Sequence, residues 1–449
     1  MFTASSRRAA SASRLPRRWV PSPACLALVL AAAIGLNAHA QQPLTLDGAL
    51  RLAQERSRQL PAQDSAAAAA RAMAAAAGQL PDPTLKTGLN SLPINGPDRF
   101  SLTRDSFTML SVGVTQEITR KDKLRARSAR FDREADMAEA GRGVALANLR
   151  RDTAMAWLDR HYQERMRELL QLQRAETALQ IEAADAAYRG GRGPQADVFA
   201  ARSAVAQLDD RIRQVELQIT TATTRLARWI GPDAEQALAA PPGLAQVRLA
   251  SGDLEAHLEH HPQVALMARQ EAVARAEADI AQSNKRSDWS VELMYSQRGP
   301  AYSNMVSVNL SIPLQLDQKN RQDRELSAKL AAAEQMRAQR EEATREHVAE
   351  TRSWLQQWQS LRDRLTQYDS SLIPLTAERT RAAVAAYRGG AGMLPSVLEA
   401  RRMEIDTRME RLRLEMESAG LWAQLEYLIP VEQQASAADR PVFSKEQQR

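Results

Sequence analysis

The side chains most capable of chemistry are few and scattered. His257-Leu258-Glu259-His260-His261 places three imidazoles and a carboxylate within five positions, and neutral imidazole is a common transition-metal ligand. The cluster stands directly before Pro262, however, where polar residues are expected at a helix entry. No second cluster completes a site, because His161 and His347 stand alone on helical segments. The sequence is therefore read as holding no metal and no cofactor. Its Ser, Asp and His residues form no G-x-S-x-G, no H-E-x-x-H and no phosphate loop, so no catalytic residue is assigned and the chain is not read as an enzyme. Two acids remain of interest, Asp197 and Glu399, each within two turns of a glycine-rich break. On pattern alone Glu399 is equally well a solvated helix residue paired with Arg402 or Arg388.

The elements that carry these residues follow from composition. Of 449 residues, 44% are hydrophobic but only 4% aromatic, and 25% are charged. That balance is poor in the bulky groups of a globular core and suits long helices with small, closely approaching side chains. Outside the N-terminus no apolar run reaches the ~18 residues of a membrane-spanning helix, which excludes a polytopic helical membrane protein. The net charge of +6 owes much to five arginines in the first 40 residues, which contain no acid. Without them 55 basic residues face 54 acidic ones, so charge supplies no case for a nucleic-acid partner.

Those arginines, the apolar run Cys25 to Leu36 and Ala38-His39-Ala40 together read as a secretory signal over residues 1–40, with the mature chain starting at Gln41. Cys25 opens the apolar run instead of following it, so lipidation is not expected. It is also the only cysteine. The mature chain therefore has no disulfide, thiolate ligand or thiol nucleophile.

The mature sequence repeats itself. Ala186-Ala187-Tyr188-Arg189-Gly190-Gly191-Arg192-Gly193 returns 199 residues later as Ala385-Ala386-Tyr387-Arg388-Gly389-Gly390-Ala391-Gly392. Val198 and Ala201-Arg202 return as Val397 and Ala400-Arg401 at the same offset. Trp157-Leu158 and Ser111-Val112-Gly113-Val114 have counterparts at Trp354-Leu355 and Ser307-Val308-Asn309-Leu310. Such agreement across different kinds of segment indicates a tandem duplication, with repeats at 41–250 and 251–430 and a polar, disordered tail over 431–449.

Each repeat has one internal order. A helix (Leu46 to Gly78; Leu254 to Ser287) precedes two segments of strict apolar–polar alternation, expected as strands over Thr84–Asn90, Phe107–Ile118, Trp289–Tyr295 and Val306–Leu314. A helical stretch from Thr119 to Tyr188, or from Gln318 onward, then runs to a Tyr-Arg-Gly-Gly turn. Helices from Pro194 to Trp229 and from Pro395 to Tyr427 return. Trp157, Trp229, Trp354, Trp358 and Trp422 are expected to anchor helix packing. Four strands cannot close a barrel, and an open sheet edge is not tolerated in lipid. An exported homo-oligomer with a composite barrel and a long helical tube satisfies this constraint. The alternative is a periplasmic structural coiled-coil protein without channel activity.

The duplicated helix–hairpin–long-helix order, the Tyr-x-x-Gly turns at Tyr188 and Tyr387, and Pro262-Gln263 opening a helix resemble the TolC-like outer membrane factors of Gram-negative efflux systems. Residues 91–105 further resemble members encoded with heavy-metal exporters, the CzcC/CusC-like branch. The resemblance implies a mainly α fold with a small β part, in a homotrimer. A 12-stranded barrel in the outer membrane would continue into a periplasmic α-helical barrel. The function implied is a passive exit duct for substrates, heavy-metal cations in that branch, delivered by an inner-membrane pump and a periplasmic adaptor. Acidic residues on the second returning helix of the family ring a periplasmic constriction. Ser396 and Glu399 match those positions, with Asp197 as the acid of the first repeat. The turns Tyr188, Arg189, Gly190, Gly191 and Gly193, and Tyr387, Arg388, Gly389, Gly390 and Gly392, become the tips at which an adaptor docks.

Export with cleavage before Gln41 and no lipid is the first expected outcome. Mass spectrometry of the mature N-terminus checks it, and a retained or acylated Cys25 refutes it.

Overall fold

The computed structural model of the protein describes residues 43–248 and 261–428. The expected signal segment, His257 and His260, the entry of the second repeat's first helix and the tail lie outside the described residues.

The first repeat opens with α1 (Leu46–Arg56) and α2 (Gln59–Ala77). One helix was expected here. Pro61 has no N–H to offer the carbonyl of Ser57, so the helix stops and restarts. Thr45 caps α1, its Oγ1 accepting from the Gly48 amide at 3.0 Å. After β1 (Thr84–Asn90) and β2 (Met109–Ile118) comes α3 (Lys121–Arg189), a 69-residue rod. At 1.5 Å per residue it is roughly 100 Å long. Helix α4 (Gln195–Ile230) returns along it. The second repeat runs α5 (Pro262–Asn284), β3 (Trp289–Gln297), β4 (Met305–Ser311), α6 (Gln322–Gln367), α7 (Ile373–Arg388) and α8 (Leu394–Glu426).

The two rods differ at one place. Between α6 and α7, residues Tyr368–Leu372 form a single widened π turn in which the Ile373 amide donates to the Tyr368 carbonyl. The cause is Pro374, which cannot donate to Ser370 and whose ring crowds that carbonyl. The widened turn carries Asp369, which receives both arms of Arg411 from α8 at 2.6 and 3.1 Å. That hydrogen-bonded pairing holds the Asp369 carboxyl below its ordinary range.

The four strands form one antiparallel sheet in the order β1-β2-β3-β4, so strands of the two repeats meet at β2–β3. Strand β2 begins two residues later than the alternation suggests. The Asp105 carboxylate instead accepts from the amides of Phe107 and Thr108 at 3.0 and 2.9 Å and holds them in a turn. Strand β4 ends at Ser311, before Pro313.

The largest core lies where the middle of α3 meets the ends of α4 and α8 and the chain segments 44–60 and 234–247. Trp157 is fully buried there among Leu46, Leu158, Leu226 and Ile230, and Trp358 and Trp422 belong to the same cluster. The segment that follows α4 straps this belt. Leu44 pairs with Leu238, Trp157 Nε1 donates to the Leu44 carbonyl at 3.2 Å, and Trp422 Nε1 donates to Gln246 at 2.9 Å. The tryptophans thus pack between helices as expected, with Trp229 and Trp354 half-buried against the same cluster. Trp157→Ala should therefore cost roughly 3–5 kcal/mol. A denaturation midpoint followed by helical circular dichroism, unchanged from wild type, would contradict this account of the belt.

Candidate functional site

Two regions concentrate features that packing alone does not use: the sheet and the helix tips. Register gives the sheet two opposite chemistries. Leu85, Leu110, Val112 and Val114, then Leu293, Tyr295, Val306, Val308 and Leu310, share one face and are all exposed. On the other face Glu292 accepts from Thr115 at 3.0 Å and Asn309 at 3.3 Å and pairs with Lys86. Ser111 contacts Ser296 at 2.9 Å and accepts from Asn90 at 2.9 Å beside them. The strands approach closely here, since a Cβ on Gly113 would stand 2.8 Å from the Leu293 carbonyl oxygen. This sheet is turned inside out relative to a soluble one. Its polar face makes hydrogen bonds and its apolar face meets the surroundings, as on a transmembrane barrel. β1 and β4 each keep one edge without a partner among the described residues.

The tips repeat each other in detail. In the first, Gly190 donates to Ala186, Gly191 to Tyr188 and Arg192 to Ala187. In the second, Gly389 donates to Ala385, Gly390 to Tyr387 and Ala391 to Ala386. Gly191 and Gly390 take φ of +66° and +76°, the left-handed region that favours glycine. Tyr188, Arg189 and Arg388 are exposed, whereas Tyr387 is half-buried and packs with Val198, Leu394 and Val397 in a small core joining the two hairpins. Gly193 and Gly392 approach Ala187 and Ala386 in matching positions.

Asp197 lies in the first turn of α4, half-buried, and Ser396 is its counterpart at the repeat offset, exposed on α8. Glu399 is exposed on the rim of a groove of about 340 Å³ between α4 and α8. Its ionic neighbour is Arg379 of α7 at 3.9 Å, not Arg402 or Arg388. Two firmer ion pairs join the hairpins deeper in: Arg401 to Glu176 at 2.8 Å and Arg211 to Asp406 at 2.6 Å. Their partners are 225 and 195 residues apart, so no local spacing signals them.

His347 is not alone. Its ring stacks on that of His261 with centroids 4.3 Å apart, and His347 Nδ1 lies 3.4 Å from Glu350. His261 is the N-cap of α5, its Nδ1 accepting from the Gln263 amide at 3.2 Å. Burial, with the neighbouring His347 second, lowers the His261 pKa to about 4. His161 stacks on Trp157 at 5.5 Å and is lowered too, chiefly by burial. Among the described residues no group of three or more His, Cys, Asp or Glu side chains could hold a metal ion.

Comparison with known proteins gives a consistent relation. Residues 49–232 match the model of the outer membrane efflux protein family. No curated protein shows significant sequence similarity. Among solved structures, CusC is similar with a TM-score of 0.74 and 15% identity, over 86% of this chain and 92% of that one. The outer membrane protein VceC of Vibrio cholerae is similar at 0.70 and 18%, over 85% and 95%. The open state of the Neisseria gonorrhoeae MtrE outer membrane channel is similar at 0.69 and 16%, over 86% and 88%.

The His261 contact makes acid sensitivity a measurable consequence. A histidine whose folded pKa is depressed from 6.5 to about 4 leaves the unfolded chain binding more protons between those values. Stability from this residue is complete above about pH 6.5 and falls as pH drops toward 4, by at most about 3 kcal/mol. His261→Asn keeps a capping side chain and should flatten this dependence in a pH series of unfolding midpoints. An unchanged slope would remove His261 as its source.

Proposed function

We propose that this chain, whose first repeat belongs to the outer membrane efflux protein family and whose fold is that of outer-membrane channels, is the passive exit duct of a tripartite efflux system. It is an outer-membrane protein whose helices extend into the periplasm. The observation that carries the duct reading is the sheet itself, apolar on its exposed face, polar on the other, and open at β1 and β4. Backbone groups at such edges cost several kcal/mol each if left unpaired in lipid. Three copies, each supplying four strands, close the edges into a 12-stranded barrel with the Glu292 network toward the lumen. The α3–α4 and α6–α8 hairpins then continue the wall as a helical tube.

In this reading the tube has no chemistry of its own. An inner-membrane pump delivers the substrate, and a periplasmic adaptor docks at the exposed tips around Tyr188, Arg189 and Arg388. The substrate class we assign is heavy-metal cations, on the resemblance of residues 91–105 to members of metal-export systems. Those residues need no ligand cluster, because a duct passes its cargo without holding it. Near the tips, Glu399 and Ser396 of three chains face a common axis, with Asp197 close by, and a ring of carboxylates there selects for cations. Opening such a constriction moves one hairpin against the other and must disturb the Arg401–Glu176 and Arg211–Asp406 pairs.

Planar-bilayer recording tests the duct and its narrow point together. Wild-type protein should form discrete channels, and Glu399→Ala should change their conductance and weaken block by multivalent cations. Glu415→Lys, farther along α8, should do much less. A wild-type protein without conductance overturns the duct, while conductance and block indifferent to Glu399→Ala move the constriction elsewhere. Leu310→Arg, in the centre of the apolar face, should cost roughly 2–4 kcal/mol if it lies near the bilayer midplane. Membrane-inserted protein of unaltered stability would count against the barrel.

A further inference from the structure

The apolar face of the sheet does not stop where β4 stops. Ile312, Leu314 and Leu316 keep the parity of Val306, Val308 and Leu310, and all six are exposed, Leu316 to 91%. On the opposite parity Gln315 turns inward and donates to the Asn284 carbonyl at 2.9 Å. At about 3.3 Å per residue, Val306 to Leu316 spans roughly 33 Å of chain. With a tilt near 40° this covers the ~25 Å apolar band of an outer-membrane barrel. The paired sheet ends at Ile118, Trp289 and Ser311, and Leu314 and Leu316 carry the apolar face past it on the side from which the long helices leave.

Immediately beyond that boundary lie six exposed cations: Lys319, Arg321 and Arg324 after Leu316, Lys121 and Arg125 after Ile118, and Arg286 before Trp289. None of the six makes an ion pair among the described residues. Of the neighbouring acids, Asp122 pairs with Arg120, Asp288 with Lys123 and Asp323 with Lys285, which leaves Glu117, Asp317 and Glu325 against the six. The last two pairs also knit the starts of α3 and α6 to the segment that follows α5, so the cations sit on one joined shoulder. At the far end of the sheet the cations have partners within the chain. Arg104 faces Asp98 at 3.8 Å, Arg99 lies over Phe100, and Arg298 covers Tyr302 and donates to Ser106. Six cations without an acid partner thus stand at the helix-side boundary, against two, Arg99 and Arg298, at the other.

We infer that this shoulder is a binding surface for anionic phospholipid headgroups of the leaflet on the helix side. The inference rests on the barrel reading above, which puts a bilayer against the apolar face, and adds the lipid class recognised there. Arginine guanidinium groups match phosphate oxygens in pairs of hydrogen bonds. A juxtamembrane cation gains on the order of 1 kcal/mol near an anionic surface, equivalent to about a five-fold change in retention. The contact holds the barrel at one depth, with Trp289 at the interface and the helices clear of the membrane.

Full-length protein reconstituted in phosphatidylcholine vesicles, with and without phosphatidylglycerol, provides the test. Vesicle flotation reports insertion, and native mass spectrometry counts the lipids retained on extraction. Wild type should insert into both and retain phosphatidylglycerol preferentially, with the preference falling as salt rises. The triple variants Lys319→Gln/Arg321→Gln/Arg324→Gln and Lys121→Gln/Arg125→Gln/Arg286→Gln should insert equally and lose that preference about ten-fold or more. Arg345→Gln, on the shaft of α6, should not. A wild type with no preference, or with one insensitive to salt, overturns the proposal without any variant, as do variants that keep it. Wild type that fails to float with either vesicle overturns the barrel reading instead, and this inference with it.

Discussion

Unpaired backbone at the two outer strands is the constraint on which the rest of the molecule depends. β1 and β4 each present a row of amides and carbonyls, and the face between them is apolar where a soluble sheet would be polar. Water satisfies the edges but not the face, while lipid satisfies the face but not the edges. Closure with other copies inside a bilayer, the arrangement proposed above, would satisfy both. The duplication fits this demand, because β2 and β3 of the two repeats pair with each other and leave one edge strand from each.

The rods solve a different problem with little material. A helix about 100 Å long cannot bury its length in one core, so contacts are divided among separate clusters. The tryptophan belt is the largest, a middle cluster gathers Met166, Leu170, Ile212 and Met409, and a small one sits at the tips. Between them Ala-rich surfaces and many i,i+4 ion pairs cover the shafts, each exposed pair worth only a few tenths of a kcal/mol. Stability is thus concentrated at the belt. The tips, where Val198, Leu394 and Val397 form the last core, are free to move more cheaply.

Near-symmetry is broken at single residues with definite effects. Pro374 widens one turn of the second rod and presents Asp369 to Arg411, which the uninterrupted first rod has no means of doing. Asp197 and Ser396 occupy equivalent positions but carry different charge, and Glu399 has Ala200 as its counterpart. Such substitutions make the two copies of the hairpin inequivalent, with Arg401–Glu176 and Arg211–Asp406 as links between them.

Element types were legible in the sequence because their causes are local. Period-two alternation places Val306, Val308 and Leu310 on one face whatever surrounds them, glycines after Tyr188 and Tyr387 force the turns, and the 199-residue repeat predicts a second hairpin from the first. Details of extent needed neighbours: Asp105 shortens β2, Pro61 divides the opening helix, and Gly113 marks a close strand approach only once Leu293 lies opposite. Side-chain partnerships across the chain belonged to the tertiary structure alone. His347 reads as solitary until folding stacks it on His261, Glu399 meets Arg379 in place of nearer arginines, and Glu176 finds Arg401 across two hairpins. The reason is physical: backbone preference and polarity act over a few residues, whereas contact between distant side chains is set by how the rods cross, and no residue's own neighbours encode that.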